Sequence, residues 1–272
     1  MAAALERRGV AVDGLPWNGA DQGFAEFDAV VLRSNWDYHH TIDAFSAWLD
    51  RLDATGARVW NPTPLVRWNL SKRYLLELAA RGVPTVPTVV LEGDAASQLP
   101  VTLAEHGWAE AVVKPLVSAS AHQTVRIRGG IVGPVVAALA SGGMRQPVLV
   151  QPFADEIVTQ GEWSVVFIDG EITHTVLKRP APGEFRVQPS HGGRAEALSA
   201  PMDVQAGARQ ALAALPLAPL YARIDGVQTR AGFRVMEVEV NEPGLAFTLA
   251  PVAAEIFAEK ILRTLDRSAS RI

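Results

Sequence analysis

No cysteine occurs among the 272 residues, which removes disulfides, iron–sulfur clusters, thiolate zinc sites and cysteine nucleophiles together. No apolar run approaches the about 18 consecutive residues of a membrane helix. The segment from Met1 to Val12 carries Glu6, Arg7 and Arg8 where a signal peptide would be apolar. There is no basic excess either: Lys+Arg 25 against Asp+Glu 29 leaves a net charge of −4, so no face for nucleic acid is indicated. Walker A, GxGxxG, HExxH and GxSxG patterns are all missing. These absences point to a cytoplasmic protein with neither nucleic-acid nor membrane partners.

What remains is ordinary globular composition, 49% hydrophobic and 20% charged. At roughly 150 residues per domain, this length makes one large or two modest domains. Ala2 to Arg8 favours helix and Gly9 would stop it. Val10–Val12 and Ala29–Leu32 read as short buried strands. Ile42, Phe45, Trp48, Leu49 and Leu52 repeat at helical spacing behind Thr41, a candidate N-cap. Asn61-Pro62-Thr63-Pro64 breaks the chain, so residues 1–66 read as a small α/β unit. Asn69 or Ser71 is expected to cap a helix running to Arg81. Ala111–Val113, Val125–Ile127 and Val148–Val150 read as strands. Farther on, Trp163–Ile168 and Glu171–Leu177 flank Asp169-Gly170, which suits a primed hairpin turn. Tyr221–Val227 and Phe233–Val240 form a second hairpin candidate. Helices are expected at 204–214 and 251–265, the latter with Pro251 at its first position. The fold class is α/β in front and α+β behind.

The second hairpin carries the chemistry. Alternation puts Arg223 and Asp225 on one strand face, and Glu237, Glu239 and Asn241 on one face of the partner. If the two faces coincide, carboxylates and an amide converge within an apolar sheet, where a hard cation such as Mg²⁺ or Mn²⁺ would compensate them; otherwise the hairpin simply faces water. Lys114 ends an apolar strand before the small-residue loop Ser118–Thr124, a place where a lysine and loop amides can meet a phosphate. Lys72, taken alone, reads as a solvated helix lysine. Lys178, Arg179 and Arg186 bracket a Pro/Gly-rich loop that is either solvated or able to close on a transferring phosphoryl group. The histidines, His39, His40, His106, His122, His174 and His191, show no metal-ligand spacing and are expected mostly at the surface.

In chain order, Lys72, Val112-Val113-Lys114-Pro115, Gln151-Pro152-Phe153, and Asp225 with Glu239 and Asn241 resemble the ATP-grasp superfamily of carboxylate–amine ligases, of the RimK and glutathione synthetase type. Leu32–Tyr38, Val66–Asn69, Ser118–Ser120, Gly161–Ser164, Lys178–Pro182 and Phe185–Pro189 are similar to the subgroup that contains the O-ureido-serine cyclo-ligase of cycloserine biosynthesis. The likeness runs from about Gly9 onward.

The resemblance implies an ATP-grasp fold. Its parts would be an N-terminal α/β domain over 1–66, lacking its usual first strand, and two α+β subdomains over 67–152 and 153–272 that clasp ATP. It implies that Lys72 and Lys114 hold the nucleotide phosphates beneath a loop containing Ser118 and Ser120. Gln151, Pro152 and Phe153 would read the adenine, and Glu162 would meet the ribose or the adenine rim. Asp225 with Glu239 and Asn241, or with Glu237 and Glu239, would hold Mg²⁺ or Mn²⁺. Lys178, Arg186 and Arg223 would neutralise the transferred phosphoryl group. Arg33, Trp36 and Tyr38, at the end of a front strand, are expected to read the substrate. The implied reaction is ADP-forming: a small-molecule carboxylate, an amino acid or a relative, is activated as an acyl phosphate for attack by an amine, in another molecule or the same one. A homodimer is among the implied assemblies. The rival readings are a non-catalytic nucleotide binder of this fold and a small-molecule phosphotransferase.

Overall fold

The computed structural model describes residues 1–19 and 23–269, with side chains to Leu265. The front of the chain runs through α1 (Ala2–Glu6), β1 (Val30–Val31), α2 (Ile42–Ala54) and β2 (Val59–Trp60). β1 and β2 pair in parallel, Val30 opposite Val59. Phe45, Trp48, Leu49 and Leu52 of α2 pack with Leu32, Tyr38, Val66 and Leu70, as the helical spacing requires. Two expectations fail here. Val10–Val12 is not a strand, because the Val10 amide turns back onto the Leu5 carbonyl to finish α1. Thr41 makes no side-chain capping bond to α2.

The chain continues through α3 (Thr63–Asn69), α4 (Tyr74–Ala80), β3 (Val89–Leu91), α5 (Ala95–His106), β4 (Ala111–Pro115), β5 (Val125–Ile127), α6 (Gly133–Ala140) and β6 (Val148–Pro152). The four strands form an antiparallel sheet in the order β3-β6-β4-β5. Leu99, Leu103, Val135 and Leu139 of α5 and α6 pack with Val113, Val148 and Val150 of the sheet. The expected chain-breaker at 61–64 does separate β2 from α3, and its last two residues, Thr63 and Pro64, open that helix.

Behind this lie α7 (Glu156–Thr159), β7 (Glu162–Ile168), β8 (Glu171–Arg179), β9 (Arg194–Ala197), α8 (Met202–Ala213), β10 (Tyr221–Thr229), β11 (Gly232–Glu239) and α9 (Pro251–Ala269). The sheet order is β11-β10-β7-β8-β9, antiparallel throughout. Asp169 and Gly170 both have positive φ, +51° and +81°, the pairing a type I′ turn demands. β10 extends past Gly226, where the register slips by a bulge. A Cβ at Gly226 would lie 2.3 Å from the Arg234 carbonyl oxygen, so no other residue fits beside Asp225. α8 and α4 cover one face of this sheet, while α9 and α1 pack with Val166, Ile168 and Tyr221. No helix among the described residues is long and apolar enough to cross a membrane.

Two asparagines join the parts. Asn69 caps nothing, and neither does Ser71: α4 has no side-chain cap. The Asn69 amide donates to the Val238 carbonyl at 2.8 Å and accepts from the Val240 amide at 3.1 Å, satisfying the free edge of β11. Asn61, wholly buried, donates to the Tyr221 and Val240 carbonyls and accepts from the Leu220 and Tyr221 amides. Truncating it strands buried backbone groups at about 1–3 kcal/mol each. Asn61→Ala is expected to lose about 3 kcal/mol or more, a fall of roughly 6–12 °C in Tm, read by thermal unfolding. An unchanged Tm would show that these bonds are replaceable by water.

Candidate active site

A cavity of about 380 Å³ opens between the two antiparallel sheets. Its floor is the hairpin β10–β11, where Arg223 stands opposite Glu239 and Asp225 opposite Glu237, so the two faces do coincide. Asp225 is 3% exposed, and a buried carboxylate needs this many partners. Arg223 Nε approaches both its oxygens, at 2.9 and 3.0 Å, and Ser164 Oγ donates to Oδ1 at 2.5 Å. Lys178 Nζ bridges Glu162 at 3.0 Å and Asp225 at 3.2 Å. Arg223 also donates to Glu239 and to the Gly244 carbonyl.

Lys72, 6% exposed, is no solvated helix lysine. Its Nζ donates to the Ser118 carbonyl at 2.6 Å and pairs with Glu237 Oε1 at 2.8 Å. Lys114 shares a face of β4 with Val112, and both reach the cavity. Among the described residues the Lys114 side chain, buried to 8% exposure, has no ion pair or hydrogen bond. Burial lowers its pKa, with Glu237 opposing the fall. For Lys72 burial pulls the same way and is the largest single effect, but Glu237 at contact, together with Glu242 and Glu239, outweighs it and the pKa rises.

The carboxylates divide in two. Burial disfavours the charge of Asp225 and Glu237, yet Arg223 beside the first and Lys72 beside the second hold their pKa values below the usual range. Glu239 is pushed up to about 7 by burial against the partial relief of Arg223, and Glu242 to about 8 by burial and by Glu239. Glu162 is raised by burial as well, despite Lys178. More carboxylate is packed here than the cations compensate, and every donor is oxygen. That set fits Mg²⁺ or Mn²⁺.

Of the residues expected at the site, Trp36, Tyr38, Lys72, Lys114, Ser118, Ser120, Gln151, Pro152, Glu162, Lys178, Arg186, Arg223, Glu237 and Glu239 line the cavity. Asp225 lies directly beneath, held by Arg223 and Lys178. Three others do not line it either. Asn241 turns away, its Oδ1 accepting from Asn35 Nδ2 at 2.8 Å, because its main chain has left the β11 ladder, which ends at Glu239. Arg33 is drawn over the Tyr221 ring, 5.2 Å from its centroid. Phe153 lies under the Arg126 guanidinium, and its amide is taken by the Glu110 carbonyl; Ala154 lines the cavity in its place. Arg186 reaches the lining but is paired with Glu184.

Glu242 is a cavity residue that sequence reasoning passed over, buried to 6%. Trp36 Nε1 donates to its carbonyl at 2.8 Å. Its only signal was position, one residue before Pro243-Gly244 in what reads as a turn. The apolar slot that Val112, Ala154, Ile157, Val187 and Met236 form beside Pro152 was, apart from Pro152, equally unmarked, being assembled from separate segments.

The profile of the family described as the N-terminal domain of D-cycloserine synthetase DcsG matches residues 1–61. The chain is 33% identical over 281 residues to the cycloserine biosynthesis protein DcsG of Streptomyces lavendulae, covering 97% of this chain and 92% of that one. The crystal structure of D-cycloserine synthetase DcsG superposes with a TM-score of 0.87 at 31% identity, over 97% of this chain and 93% of that one. The ATP-grasp ligase PsnB, solved with a phosphomimetic variant of its minimal precursor, Mg and ADP, shares the fold with a TM-score of 0.64 at 18% identity, covering 95% and 93%.

Proposed function

The chain is a member of the ATP-grasp family of carboxylate–amine ligases, in the branch of the cycloserine biosynthesis protein DcsG, and from that premise we propose that it activates and aminates a small amino-acid-derived substrate in the cavity between its two antiparallel sheets. The observation that carries this reading is the meeting of Lys72, Lys114, Lys178 and Arg223 with Asp225, Glu237 and Glu239 around one enclosed space. The family's ATP-dependent ligation needs such a site, where positioning and charge neutralisation do most of the catalysis.

Residues 67–152 and 153–272 clasp the nucleotide, and residues 1–66 supply the substrate wall. The adenine enters the apolar slot beside Gln151 and Pro152. Lys114, whose side chain has no partner among the described residues, takes a phosphate oxygen, and Lys72 leaves Glu237 to take another. Asp225, Glu237 and Glu239 would then hold Mg²⁺ or Mn²⁺, which when bound supplies neutralising charge to the phosphates. One oxygen of the substrate carboxylate attacks the γ-phosphorus; the bond to the bridging oxygen breaks and its electron pair leaves on ADP. An amine nitrogen then attacks the acyl carbon and loses a proton as the bond to phosphate breaks. Lys178, Arg223 and Arg186 (once Arg186 releases Glu184) neutralise the transferring group. Trp36 and Tyr38 exclude water from the acyl phosphate. The wall that Trp36 makes by bonding Glu242 favours a small substrate over a peptide, and one that carries both carboxylate and amine would be closed to a ring. The reading places the enzyme in the cytoplasm, where ATP and Mg²⁺ are supplied.

Thermal unfolding with saturating Mg-ATP tests the nucleotide site, and ADP release across a panel of amino-acid-derived carboxylates tests the chemistry. At about 100 times the dissociation constant, binding adds roughly 2.7 kcal/mol, an expected rise of about 5–10 °C. A protein that melts cooperatively at one temperature with and without Mg-ATP would overturn the proposal.

A further inference from the structure

Beside the main cavity lies a second depression, walled in part by Trp36, His39, His40, His122 and His191. His39 and His40 belong to a single 3-10 turn, Tyr38–His40, and His122 to the loop after β4. One ring nitrogen from each of His39, His40 and His122 can be chosen so that all three lie within 4.8 Å of one another. From these we infer a binding site for a borderline divalent transition-metal ion of the Zn²⁺ class, with His39, His40 and His122 as its three protein ligands.

The geometry of His39 carries the inference. The residue is 5% exposed. Nδ1 lies 2.8 Å from the Trp36 carbonyl oxygen; a carbonyl only accepts, so the hydrogen sits on Nδ1 and the lone pair on Nε2. That Nε2 is buried and has no hydrogen-bond partner. A carbonyl behind one nitrogen of a neutral imidazole and nothing in front of the other is how metal-binding histidines are oriented. Buried polar atoms otherwise find partners, and the rings of His40 and His122 lie 4.0 and 5.2 Å from that of His39, centroid to centroid, so a cation bound among the three rings would supply what this nitrogen lacks.

The two halves of the cluster share a support. The Arg145 guanidinium donates to the His39 carbonyl, while the Arg145 amide donates at 2.9 Å to Gln123 Oε1, next to His122. Gln123 Nε2 in turn donates to the Gly143 carbonyl at 3.1 Å. One segment, 143–145, therefore positions both the turn and the loop. In a tetrahedral site with Zn–N of about 2.0–2.1 Å the ligand nitrogens are about 3.3 Å apart. His40 and His122 are exposed, so their rings are free to close the difference while His39 stays fixed. Three imidazole nitrogens select against Mg²⁺ and for Zn²⁺, Ni²⁺ or Cu²⁺, and the one carboxylate in the lining, Asp37, is taken by Trp17 and Asn18, so this site differs in kind from the oxygen cluster. A filled site would tie the loop carrying Ser118 and Ser120 to the front unit; that consequence, unlike the site itself, rests on the functional reading above.

The test is titration of the full-length, tag-free, chelator-treated protein with Co²⁺ in excess Mg²⁺, followed by displacement with Zn²⁺. The expected result is one equivalent of Co²⁺ with the visible absorption of a four-coordinate imidazole centre, bleached by Zn²⁺. In a His40→Asn, His122→Asn double variant, whose exposed substitutions leave the metal-free melting temperature unchanged, affinity should fall by at least about 100-fold. Two results would overturn the site: no Co²⁺ spectrum in the parent protein, or a spectrum and affinity retained in the double variant. A failure of Mg-ATP binding would leave the expected Co²⁺ result unaltered.

Discussion

Lys114→Met is expected to lower ADP release by about 10²–10³-fold, the scale of losing one fixed donor to developing charge, while raising the melting temperature. The two effects have one cause. The Lys114 side chain is buried without an ion pair or hydrogen bond among the described residues, and burial already lowers its pKa. A cation held this way costs the folded state and is poised for an anion. A thioether of similar length removes the desolvation penalty, and replacing buried ions with apolar groups gains about 1 kcal/mol at the low end, or roughly 2–4 °C. Side-by-side melting curves and ADP assays decide it. A variant that melts lower and keeps its turnover would show that Lys114 supports the fold and not the phosphates.

Asp225→Asn should move both quantities down. Asp225 is the hub on which Arg223, Lys178 and Ser164 all converge. An amide keeps the shape but leaves two buried cations facing a neutral group, and breaking a buried pair in this way costs about 3–5 kcal/mol, roughly 6–20 °C. Mg-dependent ADP release should fall at least about 10³-fold, since positioning of the phosphates and neutralisation of their charge are lost together. To separate the two losses, turnover is compared well below the variant's melting temperature. Near-parental activity there would remove Asp225 from the metal site.

Which parts of this were legible in the sequence follows from where the information is local. Strand periodicity alone places Arg223 with Asp225 and Glu237 with Glu239, and the register confirms both pairings. The Asp169-Gly170 turn is legible because its two positive φ angles demand those residue types. By contrast, α5 carries Pro100 in its interior, α6 opens on Gly133-Pro134, and β9 is exposed along its whole length, so none bears the pattern that marks a helix or a strand. Asn61 and Asn69 read as breaker and cap because those are the local uses of asparagine. Their actual partners lie about 160–180 residues away on β10, on β11 and at Val240 just past its end. The same limit applies to Asn241, which periodicity assigns to the carboxylate face: it lies past the last paired residue of β11, where alternation no longer governs. His39, His40 and His122 show no metal-ligand spacing for a similar reason, since spacing in sequence says nothing about a loop that folds back onto a turn.

The packing of α1 on α9 bears on how the chain is made. Ala4 and Leu5 are buried against Phe257, Ala258 and Ile261, and Arg7 meets Glu255, 248 residues away. A five-residue helix has no stability by itself in water, where isolated helices shorter than about 12–15 residues are marginal. At about 5–20 residues per second the ribosome takes roughly 12–50 s to travel from one partner to the other. The α1 segment thus waits as unfolded chain through that interval, open to proteases and chaperones, and settles only when α9 has been delivered.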